Sequence, residues 1–342
     1  MIRILAEAPH RICDIGGWTD TWFAGSGRVV NIAVNPSAKI EIAAVESKQE
    51  TITFHSAISN SSYTLTPDRL GTGDHRLLEM IVKEIGRPKE HSIEIFIDSA
   101  IAPGSATGTS AAISVALIGG MARLQHLHLD RQEISALAHT IETERLHLQS
   151  GVQDQYASCF GSVSSLTIDP YPKVTRTEIP LSPLVLTNVQ RRLLLLSFGR
   201  AHSSSEIHTE VIRRMEGKGP QAEELAGLRR AAEHAFVSLS KGDINSFGDA
   251  MIENTMWQKQ LHSSLISPEA EEVIRVSKRF QCAGYKVNGA GGNGGSMTLL
   301  CPEDDEKKNA LVSAILSIDR RFSFIPITIN TSGLTVSSTV LQ

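Results

Sequence analysis

Residues 102–112 read Ala102-Pro103-Gly104-Ser105-Ala106-Thr107-Gly108-Thr109-Ser110-Ala111-Ala112, and they decide how the chain is read. Between 104 and 110 there are two glycines and four hydroxyls, and the apolar run 111–124 follows directly. That order predicts a small-residue loop opening into a buried helix over Ala111–Leu124. A helix N-terminus leaves free N–H groups and carries partial positive charge. Bare backbone can close around phosphate groups there, and hydroxyls can bond phosphate oxygens or ligate Mg²⁺. A Ser/Thr cap after a loop is the plainer alternative. No Lys precedes Thr109-Ser110, so the stretch is not a Walker A loop. The uncharged run Ser99–Ala122 is long enough for a bilayer. Its polar, glycine-bearing first half argues for loop plus buried helix instead.

Working outward, Ala8-Pro9-His10-Arg11 leads through an apolar strand to Gly16-Gly17-Trp18-Thr19-Asp20. A glycine pair permits a tight turn or a close approach. Asp20 can accept hydrogen bonds from hydroxyls, and Arg11 can stabilise negative charge. Near the other end, five of the seven residues 289–295 are glycine, and Gly289–Gly294 satisfies GxGxxG. A dinucleotide fold needs a helix after that motif. Ser296–Leu300 reads as a strand, so that meaning is rejected. Five glycines exceed what a hairpin turn needs, which points to close approach by something bulky. Between these lies Glu142-Thr143-Glu144-Arg145, followed by Gly151-Val152-Gln153-Asp154-Gln155. Glu142 and Glu144 are about 200° apart on a helix, so at most one shares a site with Asp154.

The remaining chain sets the class. It has 342 residues, 41% hydrophobic and 20% charged, which suggests about two folded domains. The net charge of −4 argues against nucleic acid as the main partner. Four scattered cysteines form no CxxC pair and suggest a reduced, cytoplasmic protein. Strands are expected at 28–34, 39–45, 50–55, 92–98, 192–198, 296–300 and near 321–328. Helices are expected at 75–86, after the N-cap Asp130, at 203–215, 220–240, 242–260, 267–280 and 304–317. Strands and helices do not alternate strictly, which favours α+β, with a boundary near 170–190.

In this order the motifs resemble the GHMP kinase superfamily of galactokinase, homoserine kinase, mevalonate kinase and phosphomevalonate kinase. Gly104–Ala111 is similar to the family's Gly-Leu-Gly-Ser-Ser-Ala segment, Ala8–Asp20 to the sugar-kinase opening, and Gly289–Gly292 to its late glycine loop. The resemblance implies a two-domain α+β fold. Its N-terminal domain (1–180) would be like ribosomal protein S5 domain 2, and its C-terminal domain (181–342) ferredoxin-like. It implies ATP and Mg²⁺. Gly104, Ser105, Ala106, Thr107, Gly108, Thr109 and Ser110 would wrap the triphosphate, with Ser110 and Glu144 on the metal. Asp154 and Arg11 would be catalytic. Arg11, Trp18, Thr19, Asp20, Asp154, Gly291, Gly292 and Asn293 would meet the acceptor.

Gly17-Trp18 replaces the galactokinase Glu-His pair and is similar to fucokinases and heptose-phosphate kinases instead. The expected activity is phosphorylation of a sugar or sugar phosphate at the anomeric hydroxyl, by a monomer or homodimer with no membrane partner. A diphosphate decarboxylase and a non-catalytic sugar sensor are the alternatives. The polar run Gly199–Glu206 is similar to a loop that covers the acceptor.

Overall fold

The computed structural model describes residues 1–200 and 205–340. Two long strands, β1 (Ile2–Ile15) and β2 (Gly27–Glu46), pair antiparallel on either side of the Gly16-Gly17 turn. The two strands expected at 28–34 and 39–45 are therefore one. Pro36, which has no N–H to give, sits where the β1–β2 register shifts opposite Ala8 and His10. Along both strands every second residue is small or branched and buried: Ile4, Ala6 and Ala8 facing Ala38, Ile40 and Ile42.

β3 (Ile52–Ser56), β4 (Ser61–Leu65), α1 (Arg76–Ile85) and β5 (His91–Ser99) come next. They are followed by α2 (Thr109–Leu124), α3 (Arg131–Thr140), α4 (Gln153–Phe160), β6 (Val163–Ile168) and β7 (Val174–Glu178). Helix α2 is apolar on all sides because it is covered on all sides, by the sheet below and by α1, α3 and α4 around it. Gly120 lets it sit close: a Cβ there would lie 2.9 Å from Ile42 Cδ1. This is where the uncharged stretch goes, and no helix among the described residues is long and apolar enough to cross a membrane. Asp130 caps α3 through a full capping box with Glu133.

The second sheet follows α5 (Pro183–Arg192) and contains β8 (Leu193–Ser197), β9 (Gly284–Val287), β10 (Ser296–Leu300) and β11 (Ser323–Ile325). Between β8 and β9 run α6 (Ser205–Lys218), α7 (Glu223–Lys241), α8 (Ile244–Leu261) and α9 (Pro268–Arg279), and α10 (Asp305–Leu316) lies between β10 and β11. The antiparallel spatial order β11-β8-β10-β9 is the fourth, first, third and second strand of a βαββαβ unit, the ferredoxin-like pattern. The α+β expectation holds.

The expected second unit, 181–342, does not keep its last strands. β12 (Thr328–Ile329) pairs with β2, and β13 (Thr335–Val340) pairs with β1, making the order β13-β1-β2-β5-β3-β4. One apolar core spans both sheets, with Ile12, Ile15 and Ile32 packed among Ala231, Phe247, Met251 and Leu195. The end of β1 is thereby fixed against α7 and α8.

Candidate active site

β1 delivers Arg11 into the junction of three segments. Its Nε donates to Asp154 Oδ1 at 2.8 Å, its Nη2 to Asp154 Oδ2 at 3.1 Å, and its Nη1 to the Ala106 carbonyl. The Arg11 backbone N–H also holds the Thr107 carbonyl at 3.0 Å. This forked pair is the geometry in which guanidinium and carboxylate bind most strongly. Burial opposes the charge on Arg11, but Asp154, Asp14 and Asp20 together hold its pKa above the ordinary arginine value. Asp154 sits in the first turn of α4, where the helix end favours a carboxylate.

The small-residue loop is shaped for close approach. Gly104, Ala106 and Gly108 all have positive φ, and Gly108 is the left-handed N-cap of α2. A Cβ on Gly108 would lie 3.2 Å from Asp154 Oδ2 and 3.3 Å from Arg11 Cγ. Glycine therefore brings the loop, Arg11 and Asp154 together. Thr107, Thr109 and Ser110 line a cavity of about 730 Å³ with Gly104, Ala106 and Gly108. Ser105 does not line it: the residue is buried and its carbonyl accepts from Ser296 Oγ at 2.6 Å.

The metal-ligand expectation needs a correction. After α3 the chain makes a π-helical turn over Ile141–Arg145, closed by Leu146 N–H to Ile141 O at 3.1 Å. Glu142 points inward: it is 5% exposed and accepts from Ser110 Oγ at 3.4 Å, Ser150 Oγ at 3.0 Å and Gln155 Nε2 at 2.6 Å. Glu144 faces solvent beside Arg145, its side chain 65% exposed. Glu142, not Glu144, is thus the carboxylate next to Ser110. Burial pushes Glu142 up to about 7, with the nearby Asp154 charge adding and the three hydrogen bonds opposing. A buried carboxylate meeting a hydroxyl at a helix N-terminus fits Mg²⁺, which takes one or two protein carboxylates and completes its shell from phosphates and water.

A second cavity of about 180 Å³ adjoins the first; the two share Arg11, Gln149, Asp154, His208, Gly289 and Ala290. Trp18, Asp20 and Asp14 line the smaller one. Asp20 Oδ2 accepts the Gln153 backbone N–H at 3.1 Å, and a Cβ on Gly151 would overlap that carboxylate at 2.1 Å. Thr19 is not in this lining. Its hydroxyl is used within the turn, donating to Gly16 O at 2.6 Å and lying 3.0 Å from Arg28 O. Thr21 lines the cavity instead.

The glycine loop also differs from expectation. Gly289 and Ala290 face the cavities, whereas Gly291 and Gly292 pack on protein. The Gly292 N–H donates to Leu265 O at 2.8 Å, and a Cβ on Gly291 would meet that carbonyl at 2.2 Å. Asn293 is exposed. The bulky neighbour is the chain itself. Sequence reasoning missed Asp14 and Lys286, both 1% exposed and 3.4 Å apart. Asp14 Oδ1 also accepts the Gly289 N–H at 2.9 Å, pinning the loop to β1. A carboxylate between Cys13 and Ile15 in an apolar strand was the available signal. Residues 201–204 of the polar run 199–206 lie outside the described residues.

Burial raises Asp20 to about 6, with Asp154 and Asp14 adding and the Gln153 N–H opposing. An acid raised on folding costs stability as pH rises from its unfolded value near 4 through 6. Asp20→Asn is therefore expected to stabilise the protein at pH 8 by on the order of 3 kcal/mol. The gain shrinks toward zero at pH 4. Urea unfolding at the two pH values checks this; an equal effect at both would remove the burial argument.

Residues 75–162 match the model of the GHMP kinases N terminal domain, which covers α1 through α4 and hence the loop, Glu142 and Asp154. This segment is similar to the GHMP kinases, and the relatives that the chain resembles include members of their sugar-kinase branch. It is 24% identical over 327 residues to the D-glycero-alpha-D-manno-heptose 7-phosphate kinase of Campylobacter jejuni, covering 92% of this chain and 94% of that one. A D-glycero-D-manno-heptose 1-phosphate kinase structure from Bacteroides thetaiotaomicron superposes with TM-score 0.74 at 18% identity, over 99% of this chain and 100% of that one. The Lactococcus lactis galactokinase structure complexed with galactose superposes with TM-score 0.77 at 17% identity, over 97% and 95%.

Proposed function

We propose that the chain is an ATP-dependent sugar kinase, transferring the terminal phosphoryl group to the anomeric hydroxyl of a sugar or sugar phosphate. One observation carries this reading: the Arg11–Asp154 pair lies where the two cavities meet, with the N-terminus of α2 alongside. The larger cavity suits the nucleotide, its triphosphate against the bare loop 104–110. The smaller suits the acceptor. Asp154 reaches both, so it would orient the acceptor hydroxyl and take its proton as the new P–O bond forms and the bond from the terminal phosphorus to the departing ADP breaks. Arg11 would hold the Asp154 carboxylate in place and offset charge on the transferring group. Phosphoryl transfer asks mainly for such positioning and charge compensation. Ser110 and Glu142 would hold Mg²⁺, which when bound neutralises phosphate charge.

A coupled ADP-release assay over monosaccharides and their phosphates tests the activity. Phosphorus NMR of the product tests the position through coupling to the anomeric proton. ADP formation that depends on a sugar is expected. ATP binding without ADP from any of these acceptors would refute the reading.

A further inference from the structure

We infer that the acceptor is an uncharged sugar, carrying no phosphate or carboxylate on the part that the smaller cavity encloses. This rests on the kinase reading above and specifies its substrate class. The charge lining the cavity is the first ground. Among the described residues, Asp14, Asp20 and Asp154 face Arg11 as the sole guanidinium or ammonium. Arg11 already donates Nε and Nη2 to Asp154 and Nη1 to Ala106 O. Lys286 bonds Asp14, Gln258 Oε1 and Val287 O and does not line the space. The His208 imidazole, which also lines the space, lies tilted by 35° against Trp18 with centroids 4.9 Å apart. A phosphate ester carries between one and two negative charges near neutrality. Here it would meet three carboxylates against one guanidinium, three of whose five N–H donors are already taken. The larger cavity contrasts with this, since Arg76 and His75 line it in addition to Arg11.

The second ground is independent of charge. Two side chains lining the smaller cavity, each 7% exposed, carry a buried polar atom with no partner among the described residues: Trp18 Nε1, a donor, and Gln153 Oε1, an acceptor. Buried polar atoms are seldom left unpaired. A hydroxyl both donates and accepts, so a polyol can satisfy both atoms, whereas an ionised phosphate or carboxylate only accepts. The neutral donor and acceptor thus match sugar hydroxyls.

The test measures kcat/KM of the full chain with ATP and Mg²⁺ for free pentoses, hexoses, 6-deoxyhexoses and heptoses, and for the terminal phosphate of each that can carry one. Where both forms of a sugar can be compared, the free form is expected to exceed its phosphate by roughly 100-fold or more, since like charges brought together cost several kcal/mol. Trp18→Phe keeps the ring and removes the donor. It is expected to raise KM for the best sugar about tenfold, with KM for ATP unchanged. Preference for a phosphorylated or carboxylated sugar overturns this inference and leaves the kinase reading standing. ADP from none of the acceptors, with ATP binding intact, overturns the kinase reading itself. An unchanged sugar KM in Trp18→Phe removes the hydrogen-bonding ground.

Discussion

Asp154→Asn is expected to lower turnover by about 10²–10⁴-fold, the range that loss of a general base gives, while ATP affinity stays close to that of the parent. The amide keeps the size of the side chain and one acceptor for Arg11 Nε. It removes the charge and places an NH₂ where Arg11 Nη2 now donates. The hydroxyl then has no anion to orient it, and the guanidinium meets a donor. Arg11 retains Asp14 and Asp20 as nearby counter-charges, so the fold should survive. The nucleotide is expected to contact mainly the loop 104–110, which the substitution does not touch. Steady-state ADP release and equilibrium ATP binding measure the two halves separately. Turnover within threefold of the parent would take Asp154 out of the reaction.

What the sequence disclosed and what it withheld follow from the range of the interactions. The loop 102–112 and α2 are local: glycines, hydroxyls and an apolar run sit next to each other, and the helix begins within two residues of where the pattern puts it. Asp130 announces the start of α3 as an N-cap, and the structure adds Glu133 as the other half of a capping box. Ser296–Leu300 is a strand with the expected limits. Motif position places Thr19 at the acceptor but does not disclose that its hydroxyl closes its own turn onto Gly16 and Arg28. The motif places Gly291 and Gly292 at the ligand, whereas tertiary packing brings Leu265 against both. The return of β13 to β1 left no pattern to read, since Thr335–Val340 is mostly exposed and lacks apolar alternation. Glu142 and Glu144 mark the sharpest limit. Helical geometry excludes their sharing a face, but choosing between them requires knowing that the turn is π-helical and which side α2 covers.

That choice is open to a direct comparison. Glu142→Gln is expected to cut turnover by about 100-fold, as loss of a metal-site carboxylate or its support does, and to raise the Mg²⁺ concentration needed for half-maximal rate. Glu144→Gln is expected to stay within about twofold, because an exposed ion pair such as Glu144–Arg145, 3.8 Å apart, contributes little. Glutamine at 142 keeps the volume and still accepts from Ser150 Oγ, so thermal stability should not fall with the rate. This separates a charge effect at the site from a packing defect beneath it. Mg²⁺ titrations of initial rate, run beside thermal melts for both variants, give the answer. A rate loss in Glu144→Gln with Glu142→Gln unaffected would reverse the assignment. It would require the π-helical turn to rearrange when the nucleotide binds, since the present register buries one of these carboxylates against Ser110 and turns the other to water.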